Sequence, residues 1–412
     1  MKFNCKNKSK VPSVLEEYLQ ELKEASRDEQ YSSCEAVLYL PKDRELRKQV
    51  ERVVKEKKTK DLHEVMVVGI GGSNLGAFAV YDALRPNGVK LSFFDTAHVR
   101  VLKDAKSRML NIYKQGGKVL INFISKSGST NETIMNARVL IGQLRNLDNN
   151  WQKQIVVTTE PNSKLDNWAI ANNIDVLPNP KNVGGRFSIM SAVGLFPLAI
   201  SGVDIKKLHK GADRIIGNCI SEEQDKNLAL QSALAIFDAM KKGFAINNLF
   251  VFDMDLERIG KWHRQLIGES LGKDGKGICP ITTVGSTDLH SMYQLFLGGP
   301  KNIFTTFVSI KNDSDIKIPS IDSQLDEIVP QMNKKSVSEV MNAIYKATVS
   351  SYKKKRLPFC EVVLDKLSEE EIGAFLQFKM IETMLLAKLM GINAFGQPNV
   401  EEYKVITREL LK

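Results

Sequence analysis

The chain has 412 residues, of which 43% are hydrophobic and 26% are charged, a composition typical of soluble globular proteins. This length is too great for one ordinary hydrophobic core, so two domains are expected, with three as the alternative. The net charge is +10, from 58 basic and 48 acidic residues, but the lysines are spread along the chain. The charge therefore favours a solvated basic surface, compatible with an anionic small substrate, over a nucleic-acid-binding face.

The first half of the chain begins with sixty residues that are charged and predicted to be helical. After them, short runs rich in Val and Ile alternate with helical patterns, which predicts a parallel sheet covered by helices on both faces. The predicted strands are residues 65–70, 91–95, 118–125, 154–159 and 174–180.

In the second half, a long helical stretch starts near residue 205, and the alternation then resumes. The predicted strands are residues 247–254, 279–284, 303–310 and 359–365, with long helical patterns at 336–354 and 368–391. We interpret the chain as α/β, with two tandem doubly wound domains whose mainly parallel sheets are covered by helices. The expected division is a helical N-terminal segment (1–60), a first α/β domain (61–204), a second α/β domain (205–391) and a C-terminal turn and helix (392–412).

The apolar runs and the cysteines indicate the compartment. The longest apolar run, residues 189–203, contains Pro197 and is shorter than the roughly 20 residues of a membrane span. The N-terminus has lysines without a hydrophobic core behind them, so a secretory signal is not expected there. The five cysteines are scattered without a CxxC pair, which favours reduced thiols over a disulfide framework or a zinc site. A cytoplasmic protein without a membrane partner is expected.

A glycine-rich turn, Gly-Ile-Gly-Gly-Ser at residues 69–73, follows the first predicted strand. Such a turn lets the backbone come close to another group. The full G-x-G-x-x-G spacing with a following strand-end acid is lacking, so the signal for a dinucleotide is weak. A dinucleotide, a phosphate and a simple tight corner all remain compatible with this turn.

A second turn, residues 124–134, also connects an apolar strand to a helix. Hydroxyls, a lysine and the N–H groups at a helix start together favour an anion such as phosphate. The candidate ligands are Ser125, Lys126, Ser127 and Thr130. An alternative for two neighbours is a capping box, with Ser129 as the helix cap and Glu132 bonding back to it.

Two further stretches carry a cation and a carboxylate. Gly184 and Gly185 precede Arg186, so that the backbone can approach a ligand while the guanidinium supplies a fixed positive charge. The alternative is a helix-entry loop with Ser188 as the cap and Arg186 in a surface ion pair. Glu269 stands between apolar helix residues and a glycine-rich exit, where a carboxylate can act as a base. The alternative is an ordinary solvated glutamate.

The last two stretches contain a histidine and a C-terminal turn. His290 lies in a hydroxyl-rich loop after a predicted strand, and the alternative is a core histidine beside a helix capped by Asp288. Gln397 and Lys404 flank a turn near the C-terminus. Taken in order, these stretches resemble the glucose-6-phosphate isomerase (phosphoglucose isomerase) family from about residue 65 to residue 404. The specific motifs are GGRFS with its flanks and F-x-Q-P-x-V-E-x-x-K; the two phosphate-type turns are shared with other sugar-phosphate-binding domains.

Three positions depart from the family pattern. Gly396 stands where the family usually has an acid, Asn399 where it usually has glycine, and Ser129 where threonine is common. None of these changes removes a side chain for which the family implies a catalytic role.

The resemblance implies a sugar-isomerase type of fold and the reversible isomerisation of glucose 6-phosphate to fructose 6-phosphate, in glycolysis and gluconeogenesis. It implies that His290 and Lys404 open the sugar ring, that Glu269 moves a proton through a cis-enediol, and that Arg186 stabilises the enediolate. The 125–130 turn would hold the phosphate. The residues implied to line the sugar are Gly72, Ser73, Glu132 and Gln397.

The resemblance also implies no metal or other cofactor, and a homodimer in which His290 reaches the site of the neighbouring subunit. Two alternatives are an amino-sugar-phosphate isomerase and a bifunctional glucose/mannose-phosphate isomerase. An alternative of another class is a non-catalytic regulator that binds sugar phosphates, which would need the phosphate turn but not the set of Glu269, His290 and Lys404.

Overall fold

The structure, a computed structural model, describes residues 1–5, 9–311 and 315–412. These residues form an α/β protein with two five-stranded sheets flanked by helices. In chain order the strands are β1 (Lys2–Asn4), β2 (Leu62–Val68), β3 (Lys90–Phe94), β4 (Lys118–Ile124), β5 (Ile155–Thr159), β6 (Asp175–Pro178), β7 (Ile246–Val251), β8 (Cys279–Val284), β9 (Ile303–Ile310) and β10 (Phe359–Leu364). All nine strands predicted from the sequence are present, and the α/β class is confirmed.

The first sheet has the strand order β3-β2-β4-β5-β6, and every pair in it is parallel. Its central strands are almost wholly buried, because helices cover both faces. The carboxyl ends of β2 and β4 lead into the two turns at 69–74 and 125–130. Adjacent parallel strands end at the same edge of a sheet, so the topology places these two turns side by side.

The second sheet has the order β1-β10-β9-β7-β8, with parallel pairs except at one edge. There β1 pairs with β10 in antiparallel orientation, Asn4 lying opposite Glu361. The sequence predicted only helix in the first sixty residues, so this strand was missed. Three residues are too few to show a period-2 pattern, and the pairing joins positions more than 350 residues apart.

The same pairing corrects the prediction for the cysteines. Cys5 follows β1 directly and lies 4.7 Å from Cys360 of β10, measured between the Cα atoms, and the two form a disulfide. Reduced thiols were expected because no spacing in the sequence suggested a pair. Cys34, Cys219 and Cys279 are free thiols.

Helices surround both sheets. They are α1 (Ser13–Ala25), α2 (Arg44–Lys57), α3 (Leu75–Leu84), α4 (Val99–Lys114), α5 (Asn131–Leu147), α6 (Lys164–Ala171), α7 (Ala192–Ser201), α8 (Ile205–Cys219), α9 (Leu228–Lys241), α10 (Glu257–Leu271), α11 (Tyr293–Gly298), α12 (Ser323–Ile328), α13 (Val337–Lys355), α14 (Glu369–Met390) and α15 (Glu401–Leu410). Short 3-10 helices that matter below are Gly71–Ser73, Gly185–Met190, Thr287–Leu289 and Pro398–Val400.

Helix α14 is the central helix of the molecule. Every residue from Glu371 to Ala387 is buried, which is expected of a helix that is enclosed by other elements on all sides. It packs against α1, α8, α9 and α10. The turn after α10 meets the C-terminal end of α14, where Nζ of Lys276 donates to the carbonyl of Met390. Within the described ranges, no helix combines the length and apolarity needed to cross a membrane.

Candidate active site

Glu269 lies in the last turn of α10, at the helix end where the sequence predicted it. Its Oε1 accepts a hydrogen bond from Nε2 of Gln265, one turn earlier, at 2.9 Å. Its Oε2 accepts from Nη1 of Arg186 at 3.3 Å, and the side chain is 31% exposed. The carboxylate is therefore oriented by two donors while one side remains open to solvent, and the alternative of an ordinary solvated glutamate is wrong.

Arg186 is buried, with 5% of its surface exposed. Its Nε donates to Oγ of Ser270 at 2.7 Å, and its Nη2 donates to two backbone carbonyls, Ala394 at 2.6 Å and Gly396 at 3.0 Å. Burial lowers the pKa of the guanidinium, and the Glu269 carboxylate opposes that shift. The surface ion pair considered from the sequence is thus a buried one, in which every guanidinium nitrogen is bonded to the protein.

Two glycine turns meet beside Arg186. A Cβ atom on Gly72 would lie 2.1 Å from the carbonyl carbon of Gly185 and 2.5 Å from the backbone nitrogen of Arg186. Ser188, considered as a helix cap, instead donates its hydroxyl to the carbonyls of Gly185 and Gly72, and Ser191 caps α7. The glycine at position 72 is therefore required for contact between two backbone segments, which fixes the turn after β2 against the segment that carries Arg186.

The 125–130 turn is held in shape by its own side chains. Oγ of Ser125 accepts from the N–H of Gly128, whose φ is +65°, and Oγ of Ser127 accepts from the N–H of Ser129. Thr159, at the end of the adjacent β5, donates its hydroxyl to the carbonyl of Ser125 at 2.7 Å. The Ser127 side chain is exposed. The turn is thus anchored to the sheet at one end and presents hydroxyls to solvent at the other.

The helix start after this turn differs from the capping box considered above. The N-cap of α5 is Thr130 rather than Ser129, and no side chain caps it, so the capping box is wrong. Within the described residues, no group accepts a hydrogen bond from the N–H of Asn131, Glu132 or Thr133. Open N–H groups at the positive end of a helix dipole form an anion-binding position.

The thiol of Cys34 is influenced by charges from two parts of the candidate site. Burial raises the pKa of the Cys34 thiol and Glu35 raises it further, while the positive charges of Lys126 and Arg186 oppose the shift. Cys34 therefore lies within electrostatic range of both cations.

The chain after α14 returns to Arg186. The 393–396 loop supplies the two carbonyls that Arg186 binds, and Gln397 follows immediately. Gln397 and Lys404 are half-buried, the latter on α15. The structure thus brings the loop before the C-terminal turn into contact with Arg186.

His290 stands apart from these groups. It follows the 3-10 helix Thr287–Leu289 and is exposed. Asp288, considered as a helix cap, instead accepts from the N–H of Val284 and from the hydroxyl of Ser291, both at 2.7 Å, and it fixes the turn. Among the described residues, no hydrogen bond or ion pair joins His290 to Glu269. The alternative of a passive core histidine is wrong, because the ring lies at the surface.

Three residues of the site were missed from the sequence: Ser270, Gln265 and Lys273. Gln265 could have been found from its spacing of four residues before Glu269, because such pairs share a helix face. Ser270 and Lys273 could not be found in this way, because their hydrogen-bond partners lie in distant parts of the chain. Lys273 is buried and donates to the carbonyls of Asn393 and Phe395.

A carboxylate paired with a buried arginine, together with a helix start that has open N–H groups, is a combination typical of sites for small anionic substrates. The sequence matches the family model of phosphoglucose isomerase over residues 20–412. It is 34% identical over 366 residues to the glucose-6-phosphate isomerase of Methanocaldococcus jannaschii, covering 88% of each chain. It is 34% identical over 371 residues to that of Mycoplasmopsis synoviae, covering 87% of this chain and 85% of the relative.

Solved structures agree with these relationships. A hypothetical protein from Thermus thermophilus superposes with a TM-score of 0.85 at 28% identity over 97% of both chains. A glucose-6-phosphate isomerase from Chlamydia trachomatis has a TM-score of 0.80 at 20% identity, over 96% of this chain and 84% of that one, which supports the fold alone. The chain belongs to the phosphoglucose isomerase family. Its activity is that of the family, the reversible isomerisation of glucose 6-phosphate to fructose 6-phosphate.

Proposed function

We propose that the chain isomerises glucose 6-phosphate by ring opening followed by proton transfer through a cis-enediol, with Glu269 as the base. The observation that carries this proposal is the contact between Glu269 and Arg186. A carboxylate that is oriented by two donors and open on one side can take a proton from one carbon and return it to the next on the same face of the sugar.

Arg186 is proposed to stabilise the negative charge that develops on the enediolate oxygens. Its Nε and Nη2 are already bonded to Ser270 and to two backbone carbonyls, so the guanidinium does not need to reorganise during the reaction. Donors fixed in advance in a buried position contribute more to transition-state stabilisation than mobile ones.

The phosphate is proposed to bind at the 125–130 turn and the first turn of α5. Support comes from the open N–H groups of Asn131, Glu132 and Thr133 and from the exposed hydroxyls of the turn. The proposed phosphate ligands are Ser125, Lys126, Ser127 and Thr130. The residues proposed to line the sugar are Gly72, Ser73, Glu132 and Gln397. Binding energy gained at the phosphate orients the reacting carbons towards Glu269.

His290 and Lys404 are proposed to open the ring, in a homodimer where each His290 completes the site of its partner. Support comes from the exposure of His290 and from its lack of a described bond to Glu269 in its own chain. Seven large apolar side chains between residues 316 and 337 are also exposed: Ile316, Ile321, Leu325, Ile328, Val329, Met332 and Val337. Protein interaction sites often expose apolar side chains, and a two-fold dimer would make each contact reciprocal.

The division into segments 1–60, 61–204, 205–391 and 392–412 is retained as a proposal, as is the cytoplasmic location. Residues 204 and 205 lie at the start of α8, between the two sheets in the chain order. Strand β1 would then be a contribution of the N-terminal segment to the sheet of the second domain.

The direct test is a coupled assay in which purified protein converts fructose 6-phosphate to glucose 6-phosphate, read by an NADP-dependent glucose-6-phosphate dehydrogenase. Mannose 6-phosphate, coupled through the same dehydrogenase, is the control for a wider substrate range. Turnover of fructose 6-phosphate without turnover of mannose 6-phosphate is expected. Comparable rates with both would favour a bifunctional isomerase, and no turnover with either would contradict the proposal.

A further inference from the structure

Four successive backbone carbonyls in the 393–396 loop are held by two buried cations in alternation. Nζ of Lys273 donates to the carbonyls of Asn393 at 2.6 Å and Phe395 at 2.7 Å. Nη2 of Arg186 donates to those of Ala394 and Gly396. The two cations thus hold opposite sides of one short loop.

The burial of Lys273 is unusual, because lysine is almost never fully buried without a partner. Only 8% of its surface is exposed, and its bonds are to neutral carbonyls. Burial lowers its pKa to about 8, and the charge of Arg186 acts in the same direction, while Asp274 and Glu269 oppose the shift. Removing an ammonium from water is costly, so its place here indicates a specific requirement of the loop.

The loop connects three functional groups of the site. It holds the Nη2 end of Arg186, which leaves Nη1 directed at Glu269, and it continues directly into Gln397 and then into α15 with Lys404. A displacement of the loop would therefore change the orientation of Arg186 and move Gln397 and Lys404 together.

We propose that Lys273 is a positioning residue for the isomerisation: it fixes the 393–396 loop so that Arg186, Gln397 and Lys404 stand correctly around the substrate. This inference rests on the proposed function, because it assigns Lys273 a role through residues proposed to act on the sugar. Lys273 itself does not touch the reacting atoms.

The chain offers a matched control three residues away. Lys276 belongs to the same turn as Lys273 and also donates its Nζ to a carbonyl, that of Met390 at 2.8 Å. Its acceptor, however, is the last residue of α14, and the Lys276 side chain is exposed. A lysine-to-methionine change at either position removes one ammonium from the same turn, but only the change at 273 releases the 393–396 loop.

The test compares Lys273→Met, Lys273→Arg and Lys276→Met with the full-length wild type. In Lys273→Met, we expect kcat to fall by roughly 10²-fold, as small misplacements of catalytic groups do. The inhibition constant of inorganic phosphate should change by less than about threefold, because the proposed phosphate turn is unaffected. Lys273→Arg retains a cation and should recover part of kcat. Lys276→Met should match the wild type.

Amide hydrogen exchange of residues 391–404 measures how firmly the loop is held, and it needs no substrate. Faster exchange is expected in Lys273→Met only, with the rest of the chain unchanged, which also excludes general unfolding. Wild-type kcat in Lys273→Met, or lost activity without faster exchange in this segment, would overturn the proposal. If the wild type itself lacks isomerase activity, the proposed function fails, and the exchange experiment still decides whether Lys273 fixes the loop.

Discussion

The two halves of the candidate site differ in how far their polar groups are already paired. In the interior half, formed by Arg186, Glu269 and the 393–396 loop, every guanidinium nitrogen is bonded to another protein group. In the open half, to which we assign the 125–130 turn, the first turn of α5 and a His290 from the proposed partner, the first N–H groups of α5 have no acceptor among the described residues, and the Ser127 side chain is exposed. The interior half is therefore organised before substrate binds, whereas the open half would be completed by the phosphate and the second subunit that we propose.

The largest expected effect is the loss of turnover when the proposed base is removed from the interior half. Glu269→Gln preserves the size and the contact with Gln265 but loses basicity, so turnover should fall by roughly 10²–10⁴-fold or more, while substrate still binds. The coupled assay and equilibrium binding of fructose 6-phosphate measure the two quantities. Glu257→Gln, at the exposed start of the same helix, is the control and should keep full activity. Near-wild-type turnover in Glu269→Gln would exclude Glu269 as the base.

The second prediction adds charge to the open half. Ser127→Asp places a carboxylate beside the open N–H groups of α5, so like-charge repulsion should raise KM for fructose 6-phosphate by roughly tenfold or more. Inhibition by phosphorylated sugar acids should weaken in parallel. Ser127→Asn, similar in size and uncharged, should change both constants much less. If both constants of Ser127→Asp equal those of wild type, the phosphate does not bind at this turn.

A third prediction asks whether the open half is completed by a second chain. Glu269→Gln and His290→Ala chains are refolded together, and mixed dimers are isolated by two different tags. One site of a mixed dimer then has both lesions, and the other has an intact Glu269 from one chain and an intact His290 from its partner. With random exchange, half of the dimers are mixed, so the refolded pool should recover roughly a quarter of wild-type activity.

Isolated mixed dimers should accordingly show about half of wild-type activity, from one intact site in two. Each variant refolded alone is the control and should stay inactive. Mixed dimers without recovered activity would show that each site takes both residues from its own chain.

The smallest expected effect is a loss of folding stability at acidic pH, caused by a buried histidine next to the interior half. His209 is buried; its Nε2 bonds to the carbonyl of Met190, the last residue of the Arg186 3-10 helix, and Nδ1 faces Arg47. Burial lowers its pKa from 6.5 to about 4. Between these pH values the unfolded chain binds a proton at His209 more readily than the folded chain does. The free energy of unfolding is therefore unaffected by this group above pH 6.5 and decreases as the pH falls towards 4. The loss is at most roughly 3 kcal/mol.

The measurement is the thermal midpoint of unfolding from about pH 7.5 to about pH 4.5, a range that spans the shift in the pKa of His209. His209→Gln should show a flatter dependence on pH than wild type, although its midpoint at neutral pH is lower. His63→Gln, which changes an exposed histidine, should follow the wild-type curve. An unchanged slope in His209→Gln would mean that this imidazole does not limit acid stability.

The sequence predicted most of the fold because the buried parallel strands are long apolar runs separated by helical patterns. It named Arg186 and Glu269 as candidate site residues through the family resemblance, and the structure pairs these two side chains. It did not predict β1 or the disulfide between Cys5 and Cys360, because both join positions at opposite ends of the chain. The roles of Lys273 and Arg186 at the 393–396 loop were also hidden, because their acceptors are backbone carbonyls, which every residue possesses.

The contact between Gly72 and Gly185 has a consequence for sequence variation. A side chain at position 72 would meet rigid backbone at 2.1 Å, whereas a Cβ at position 185 would be 3.4 Å from its nearest neighbour, an ordinary contact distance. The contact therefore excludes a side chain at position 72 but allows a small one at position 185. In a saturation library selected for growth that depends on this isomerase, only glycine should survive at position 72, whereas alanine should also survive at position 185. The two sides of one contact would thus differ in the residues found among the survivors.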